Sequence, residues 1–322
     1  MDQSLFFSVY FPRTMKLCIG LLLVTCAMVV TSQVMPAVFW MHIQKTSSWL
    51  GNFLLLWGCS NVRKLSSKTK QGMVYVAVGR NMSKLQCEVP FHTGNFGFGY
   101  HVPFDKTMNR TAITLFRNPY NRVISSFLYG KGVHQIMFPL GFPDRAKRKF
   151  ELRKQIRDSE YPILTYVQLP GIASCQAKMT LGRECGEVNA ISDEDLVEAV
   201  RRVRFDLAFV GLTEESRASA QLFMAMYPVV LSQQEVQADG KVDESALLSA
   251  VGTAPRTNAD HTHQVNEALL GVLRDHHWQD KADEVVYRAA VKVFYERCRL
   301  YHIETDHSEE EVIAKLPLSE VE

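Results

Sequence analysis

The sequence lacks the features that mark several large classes of protein. It has one long uncharged apolar run, near its start, which excludes a membrane protein with many spans. Its 36 basic residues nearly balance its 34 acidic residues, and the formal net charge of +2 provides no overall field for a polyanion. Nucleic acid is therefore not expected as a partner. With 47% hydrophobic and 22% charged residues and no internal repeat, the composition indicates an ordinary globular protein.

Two motif classes are also missing. The chain has no CxxC pair and no Cys/His cluster with zinc spacing, so no metal site is expected. The Walker motif GxxxxGK[ST] is absent, which disfavours a nucleotide or small-molecule kinase. Seven cysteines are present, and the five outside the N-terminal run are an odd number. Cys175 and Cys185 are close enough in sequence to close a local loop.

Residues 17–30 form a run of fourteen residues without a charge. A membrane span needs about 20 residues, whereas the apolar part of a secretory signal needs about 7–15 after a basic residue such as Lys16. Residues 1–32 are therefore predicted to be a cleaved signal peptide or an uncleaved signal anchor, and both alternatives stay open. Both deliver the chain to the secretory pathway, and the glycosylation triplets at Asn81 and Asn109 agree with that.

Strand-like and helix-like segments alternate along the chain. A polar stretch over 232–263 predicts a long loop, and 264–300 is helical in pattern. The alternation predicts an α/β fold with a parallel sheet covered on both faces. The predicted strands are 38–43, 73–78, 111–116 and 207–212, and the helices that follow three of them are 49–57, 120–129 and 214–227.

The loop Met41–Ser48 lies between the first predicted strand and the first predicted helix. In an open parallel sheet, ligands bind beyond the carboxyl ends of the strands. Backbone N–H groups of such a loop, the following helix N-terminus and the mobile charge of Lys45 can together bind a phosphate. The alternative is an ordinary strand–helix turn with a surface lysine.

Two segments resemble one enzyme family. The stretch His42–Thr46 resembles the HIQKTGG phosphosulfate loop of the Golgi carbohydrate sulfotransferases, in the form found in the heparan sulfate 2-O- and 6-O-sulfotransferases. The stretch Leu115–Ser126 resembles their 3′-phosphate segment LRDPxxRxxSxxY, with Arg, Pro, Arg and Ser in register. Weaker similarity is seen at Phe209–Glu215 and at Gln176 with Met179–Gly182, so the resemblance runs from about Val38 to Cys298.

The resemblance implies a P-loop nucleotide kinase-like fold, a central parallel β-sheet flanked by helices. It implies 3′-phosphoadenosine 5′-phosphosulfate (PAPS) as donor, without a metal. Lys45 would neutralise the leaving phosphate as charge develops on it. Arginine suits a 3′-phosphate because its planar fork binds bidentately. The implied donor-binding residues are Gln44, Lys45, Thr46, Ser47, Ser48, Arg117 and Ser125.

The acceptor hydroxyl needs a general base, and a histidine within hydrogen-bond reach would serve. Gly99–Phe104 resembles the Gly-x-His stretch that carries the base in the 6-O-sulfotransferases. The implied catalytic residues are therefore Lys45 and His101, with His92 as the second candidate for the base. A histidine with a purely structural role is the alternative.

Residues 131–157 hold eight Lys or Arg against two acids. This local excess favours either an anionic polysaccharide as the acceptor or a solvated amphipathic helix. The candidates for binding such an acceptor are Arg148, Lys149 and Arg153.

Taken together, the sequence predicts a PAPS-dependent sulfotransferase that transfers a sulfuryl group to a glycan hydroxyl in the Golgi lumen. The predicted catalytic domain spans 33–303 and an acidic tail spans 304–322. The chain would contact the membrane through its N-terminal segment if that segment is not cleaved. The alternative is a catalytically inactive protein of the same fold that binds nucleotide or anionic glycan.

Overall fold

Three short parallel strands lie at the centre of the structure, a computed structural model that describes residues 38–46, 50–51, 53–54, 102–129, 143–227 and 263–316. The strands are β1 (Phe39–Trp40), β2 (Ala112–Phe116) and β3 (Phe209–Leu212). The helices are α1 (Pro119–Leu128), α2 (Arg145–Arg157), α3 (Pro162–Val167), α4 (Cys175–Thr180), α5 (Asp193–Phe205), α6 (Ser216–Met226), α7 (His263–Asp275), α8 (Lys281–Leu300) and α9 (Glu309–Ala314).

The strand order is β1-β2-β3, and both neighbouring pairs are parallel. Trp40 pairs with Ile113, and Ile113 pairs in turn with Phe209. Every residue of the three strands is buried, as expected for a parallel sheet with covered faces. The predicted α/β class with a parallel sheet flanked by helices is confirmed.

Most predicted elements match the observed ones with shifts of one or two residues where the structure describes them, but the predicted strand 38–43 is found only as Phe39–Trp40. Strand 111–116 is found as 112–116 and helix 120–129 as 119–128. The helical pattern over 264–300 is two helices, because the chain leaves α7 after Asp275 and restarts α8 after Asp280, whose side chain accepts the N–H of Asp283. Residues 1–32, the predicted strand 73–78 and the predicted loop up to residue 262 lie outside the described residues.

Helix α8 is the main support of the sheet. It contacts β3 and also packs on α4, α5, α6 and α9. Twelve of its residues are buried, including Tyr287, Val291 and Phe294. This continuous burial explains why the segment reads as an apolar helix in the sequence.

A second apolar cluster joins α1 to α2, α3 and α7. Tyr120 and Val123 of α1 pack in it with Leu152 and Ile156 of α2. Those two are the buried residues of α2, and its basic side chains surround them on the remaining surface. Helix α2 packs mainly on α3, and α3 packs in turn on α1, the helix that follows β2.

The disulfide Cys175–Cys185 confirms that this pair closes a local loop. Residues 304–316, which fall in the predicted acidic tail, pack on the domain. The fully buried carboxylate of Glu215 accepts hydrogen bonds from the backbone N–H groups of Asp306 and His307. Across the described segments, no helix is both long and apolar enough to span a membrane.

Candidate functional site

The candidate site lies where the three parallel strands end. The loop Met41–Thr46 follows β1, Arg117 and Asn118 follow β2, and Thr213 and Glu214 follow β3. Parallel strands have their carboxyl ends at one edge of the sheet, where α/β proteins bind ligands. The three segments are joined by hydrogen bonds, so this edge is built as one unit.

Two of those bonds hold the loop after β1. Arg117 donates through Nη1 to the carbonyl oxygen of Lys45 at 3.0 Å. The hydroxyl of Thr213 donates to the carbonyl oxygen of Thr46 at 2.6 Å. The carbonyl groups of the loop are thereby directed toward β2 and β3.

The loop itself contains a tight turn. Both the N–H and the hydroxyl of Thr46 donate to the carbonyl oxygen of Ile43, the hydroxyl at 2.9 Å. Lys45 at the centre of the turn has φ of 63°, in the left-handed region that a lysine rarely occupies. Strained backbone of this kind concentrates at ligand-binding sites.

The ammonium group of Lys45 is partly enclosed. Its Nζ lies 4.2 Å from the centre of the Tyr129 ring, a cation–π contact with the end of α1. Burial, together with the positive charge of Arg117, lowers the pKa of Lys45 to about 8. Lys45 is therefore still mainly protonated at neutral pH, but its pKa lies close to neutral pH.

Arg117 is fixed on several sides. Burial lowers the pKa of its guanidinium, and the negative charge of Glu214 opposes this shift. An arginine keeps its charge through such a change. Its Nε is buried and makes no hydrogen bond with any residue that the structure describes.

Asn118 begins α1 and orients the chain after Arg117. Its side chain accepts the N–H groups of Tyr120 and Asn121, and its own N–H donates to Glu214 at 3.0 Å. Asparagine and aspartate cap helices equally well. The asparagine found here, where the resembled family has aspartate, thus preserves the helix start.

The sequence-predicted donor residues are brought together only in part. Gln44, Lys45, Thr46 and Arg117 meet at the sheet edge, and Gln44 is buried with its Oε1 accepting no hydrogen bond within the described ranges. Ser125 is half-buried on α1, and its carbonyl accepts the N–H of Tyr129. The predicted residues outside the described part of the chain are Ser47, Ser48, His92 and His101.

Arg122, the second arginine in register with the family pattern, lies in the interior. It is 1% exposed, 3.1 Å from a carboxylate oxygen of Asp283 and 3.7 Å from one of Asp280. It also donates to the carbonyl oxygen of Ile172. Arg122 therefore joins α1 to the start of α8 and has a structural role.

Three residues without a predicted role contribute to the site. Gln176 bonds the backbone of Arg117, Glu214 bonds Asn118, and Tyr129 contacts Lys45. Gln176 and Glu214 lie in the two weaker stretches of family resemblance, which is the signal that could have found them. Tyr129 had no such signal, because its role depends on the length of α1.

The predicted acceptor residues lie on α2. Arg148 and Arg153 are exposed and Lys149 is half-buried. Arg148 forms an ion pair with Glu151 at 3.2 Å, with about half of each side chain exposed. An exposed pair of this kind contributes little stability, so these cations are available at the surface.

No family profile, curated protein or solved structure matches this chain. A functional assignment therefore depends on the two motifs and on the geometry that joins them. Within the described residues there is no group of three or more His, Cys, Asp or Glu side chains arranged to hold a metal ion.

Proposed function

We propose that this chain is a PAPS-dependent carbohydrate sulfotransferase of the secretory pathway, with a P-loop nucleotide kinase-like fold. The observation that carries the proposal is the bond from Arg117 to the carbonyl of Lys45. It joins the segment that resembles a 5′-phosphosulfate loop to the segment that resembles a 3′-phosphate site. A nucleotide that carries one phosphate at the 5′ position and one at the 3′ position of its ribose needs two such cationic segments close together.

The residues have distinct roles in this proposal. Lys45 neutralises the nucleotide phosphate as it leaves, and the loop residues Gln44, Thr46, Ser47 and Ser48 bind the same end of the donor. Arg117 binds the 3′-phosphate through its planar fork. His101 takes the proton from the acceptor hydroxyl while the sulfuryl group moves from the phosphate to that oxygen.

The basic helix α2 is the proposed acceptor surface. Its buried residues Leu152 and Ile156 belong to the apolar cluster that also includes residues of α1. Helix α2 packs mainly on α3, and α3 packs on α1, which runs from beside Arg117 to Tyr129, the residue that contacts Lys45. Helices α3 and α1 thus link the cations of α2 to the donor site. An anionic glycan held by Arg148, Lys149 and Arg153 would lie along this side of the molecule.

The test is a calorimetric titration of 3′-phosphoadenosine 5′-phosphate (PAP), the desulfated donor, into the full chain. We expect saturable binding that Arg117→Ala weakens at least tenfold, about 1.4 kcal/mol. Arg204→Ala is the matched control, because Arg204 is an exposed arginine on α5. Transfer of labelled sulfate from PAPS to glycan acceptors then tests turnover, which Lys45→Ala should abolish.

Two results would count against the proposal. Folded protein that does not bind PAP rules out the donor site. PAP binding without sulfate transfer to any glycan would instead favour the inactive, nucleotide-binding alternative.

A further inference from the structure

The side-chain amide of Gln176 holds the main chain of Arg117 at two points. The N–H of Arg117 donates to Oε1 of Gln176 at 2.9 Å, and Nε2 of Gln176 donates to the carbonyl oxygen of Arg117, also at 2.9 Å. Gln176 is completely buried. Arg117 is the first residue after β2. The glutamine amide therefore takes the place of the backbone groups that a neighbouring strand would offer if β2 continued.

Helix α4, which carries Gln176, is itself fixed on the carboxylates that begin α8. The N–H of Ser174 donates to Asp280 at 2.9 Å, and the N–H of Ala177 donates to Asp283 at 2.9 Å. The disulfide of Cys175 ties the start of the helix to Cys185. The amide of Gln176 therefore has little freedom to move away from Arg117.

The end of α4 is equally constrained. Gly182 follows the helix with φ of 83°, and a Cβ there would lie 2.7 Å from the carbonyl oxygen of Phe104. The N–H of Phe104 donates to the carbonyl of Met179 at 2.9 Å. Only glycine allows this close approach without a shift of the backbone. Both ends of the helix are thus held.

We propose that Gln176 is a positioning residue for the 3′-phosphate site and that it acts through Arg117. The inference rests on the proposed function, since it needs a ligand with a 3′-phosphate. With its N–H and carbonyl both bonded to Gln176, the main chain of Arg117 is held in place, and so is the base of the side chain whose guanidinium bonds the Lys45 loop. A bidentate contact to phosphate depends on such orientation because the donor fork is planar and rigid.

The experiment compares two nucleotides that differ only in the group that Arg117 is proposed to bind. PAP carries the 3′-phosphate and adenosine 5′-phosphate (AMP) lacks it. The affinities of both are measured by calorimetry on the full chain for wild type, Arg117→Ala, Gln176→Met and Gln176→Asn. Methionine removes both hydrogen bonds at similar volume, whereas asparagine keeps the amide but is too short by one methylene group.

Thr180→Val is the matched control. Thr180 is buried on the same helix, and its hydroxyl donates to the carbonyl of Gln176 at 2.8 Å rather than to Arg117. This change removes a buried hydroxyl from α4 and leaves both bonds to Arg117 in place. Thermal unfolding of each variant shows which proteins are folded. If Gln176→Met does not fold, Gln176→Asn is used for the comparison.

We expect wild type and Thr180→Val to bind PAP at least tenfold more tightly than AMP. In Arg117→Ala and both Gln176 variants, PAP affinity should fall to within about threefold of AMP affinity. AMP affinity itself should change little, a selectivity that general damage to the fold would not produce.

The failures are distinguishable. A folded Gln176 variant that still prefers PAP as wild type does overturns the positioning role and leaves the proposed function intact. Equal loss of PAP and AMP affinity also overturns it, because Gln176 is then a general structural residue. Wild-type protein that binds neither nucleotide overturns both proposals.

Discussion

Arg117 donates a hydrogen bond to the carbonyl oxygen of Lys45, 3.0 Å away and 72 positions earlier in the chain. This bond brings two cationic side chains to one edge of the sheet. Burial, together with the positive charge of Arg117, lowers the pKa of Lys45. An anion bound between the two side chains would offset this shift.

The first prediction concerns the pH dependence of donor binding. Lys45 is a cation below its pKa of about 8 and neutral above it, so PAP affinity should decrease as the pH rises through that value. Lys45→Arg should bind PAP with little change over the same range, because arginine does not deprotonate there. Calorimetry from about pH 6.5 to about pH 9.5 measures both. A wild-type affinity that stays level up to the highest pH would contradict the role of Lys45.

The second prediction concerns the buried charge of Arg122. Replacing it by methionine removes the guanidinium that pairs with the buried carboxylates of Asp280 and Asp283, which should lower the free energy of unfolding by about 3–5 kcal/mol. Burial and the neighbouring Asp283 raise the pKa of Asp280 to about 7. Protonation of Asp280 removes one of the unpaired charges, so the loss should become smaller as the pH falls from about 8 to about 5.

Denaturant unfolding of wild type and Arg122→Met at both pH values measures this effect. Arg157→Met is the control, since Arg157 is exposed and its ion pair is with its exposed neighbour Asp158. A stability loss that is equal at the two pH values would show that the carboxylates do not depend on Arg122 for their charge balance.

The third prediction concerns the disulfide. Cys185→Ser should lower the free energy of unfolding by about 2–3 kcal/mol, because the bond closes a loop with a sequence separation of 10. Cys298→Ser is the control for replacing a buried cysteine, since Cys298 is free of a disulfide. If both variants lose the same stability, the cost comes from burial of the serine and not from the cross-link.

The fourth prediction concerns the glycosylation triplet at Asn109. This residue is exposed in the turn that precedes β2, where a glycan can be attached without disturbing the fold. Protein made in a secretory host should lose mass on treatment with an N-glycosidase, and Asn109→Gln should reduce the loss. Full-length protein that carries no N-glycan in such a host would argue against passage through the secretory lumen.

The fifth prediction concerns the acceptor surface. Changing Arg148, Lys149 and Arg153 together to alanine should weaken binding of a sulfated polysaccharide about tenfold at low salt and leave PAP affinity unchanged. The matched control changes three exposed cations outside α2 to alanine, namely Arg204, Lys292 and Lys315. Equal losses in the two triple variants would mean that net charge alone attracts the polysaccharide.

Local pattern was sufficient for much of the architecture. Apolar runs ending in polar loops predicted β2 and β3 within two residues, and the helices after them begin within two residues of their predicted starts. The break between α7 and α8 was missed, because both sides have helical periodicity and the stop depends on the capping by Asp280. The basic character of α2 was visible in the sequence, but its packing on α3 was not.

The sequence by itself determined which segments form the candidate site. It supplies Lys45 and Arg117 in loops at strand ends and the cations of α2, because strand–loop alternation and residue type are local properties. Only the tertiary structure decided that Arg117 bonds Lys45, that Gln176 holds Arg117 and that Arg122 is buried against Asp283. Each of these contacts joins segments that are 59 or more positions apart. Such contacts depend on strand order and helix packing, which no local pattern encodes.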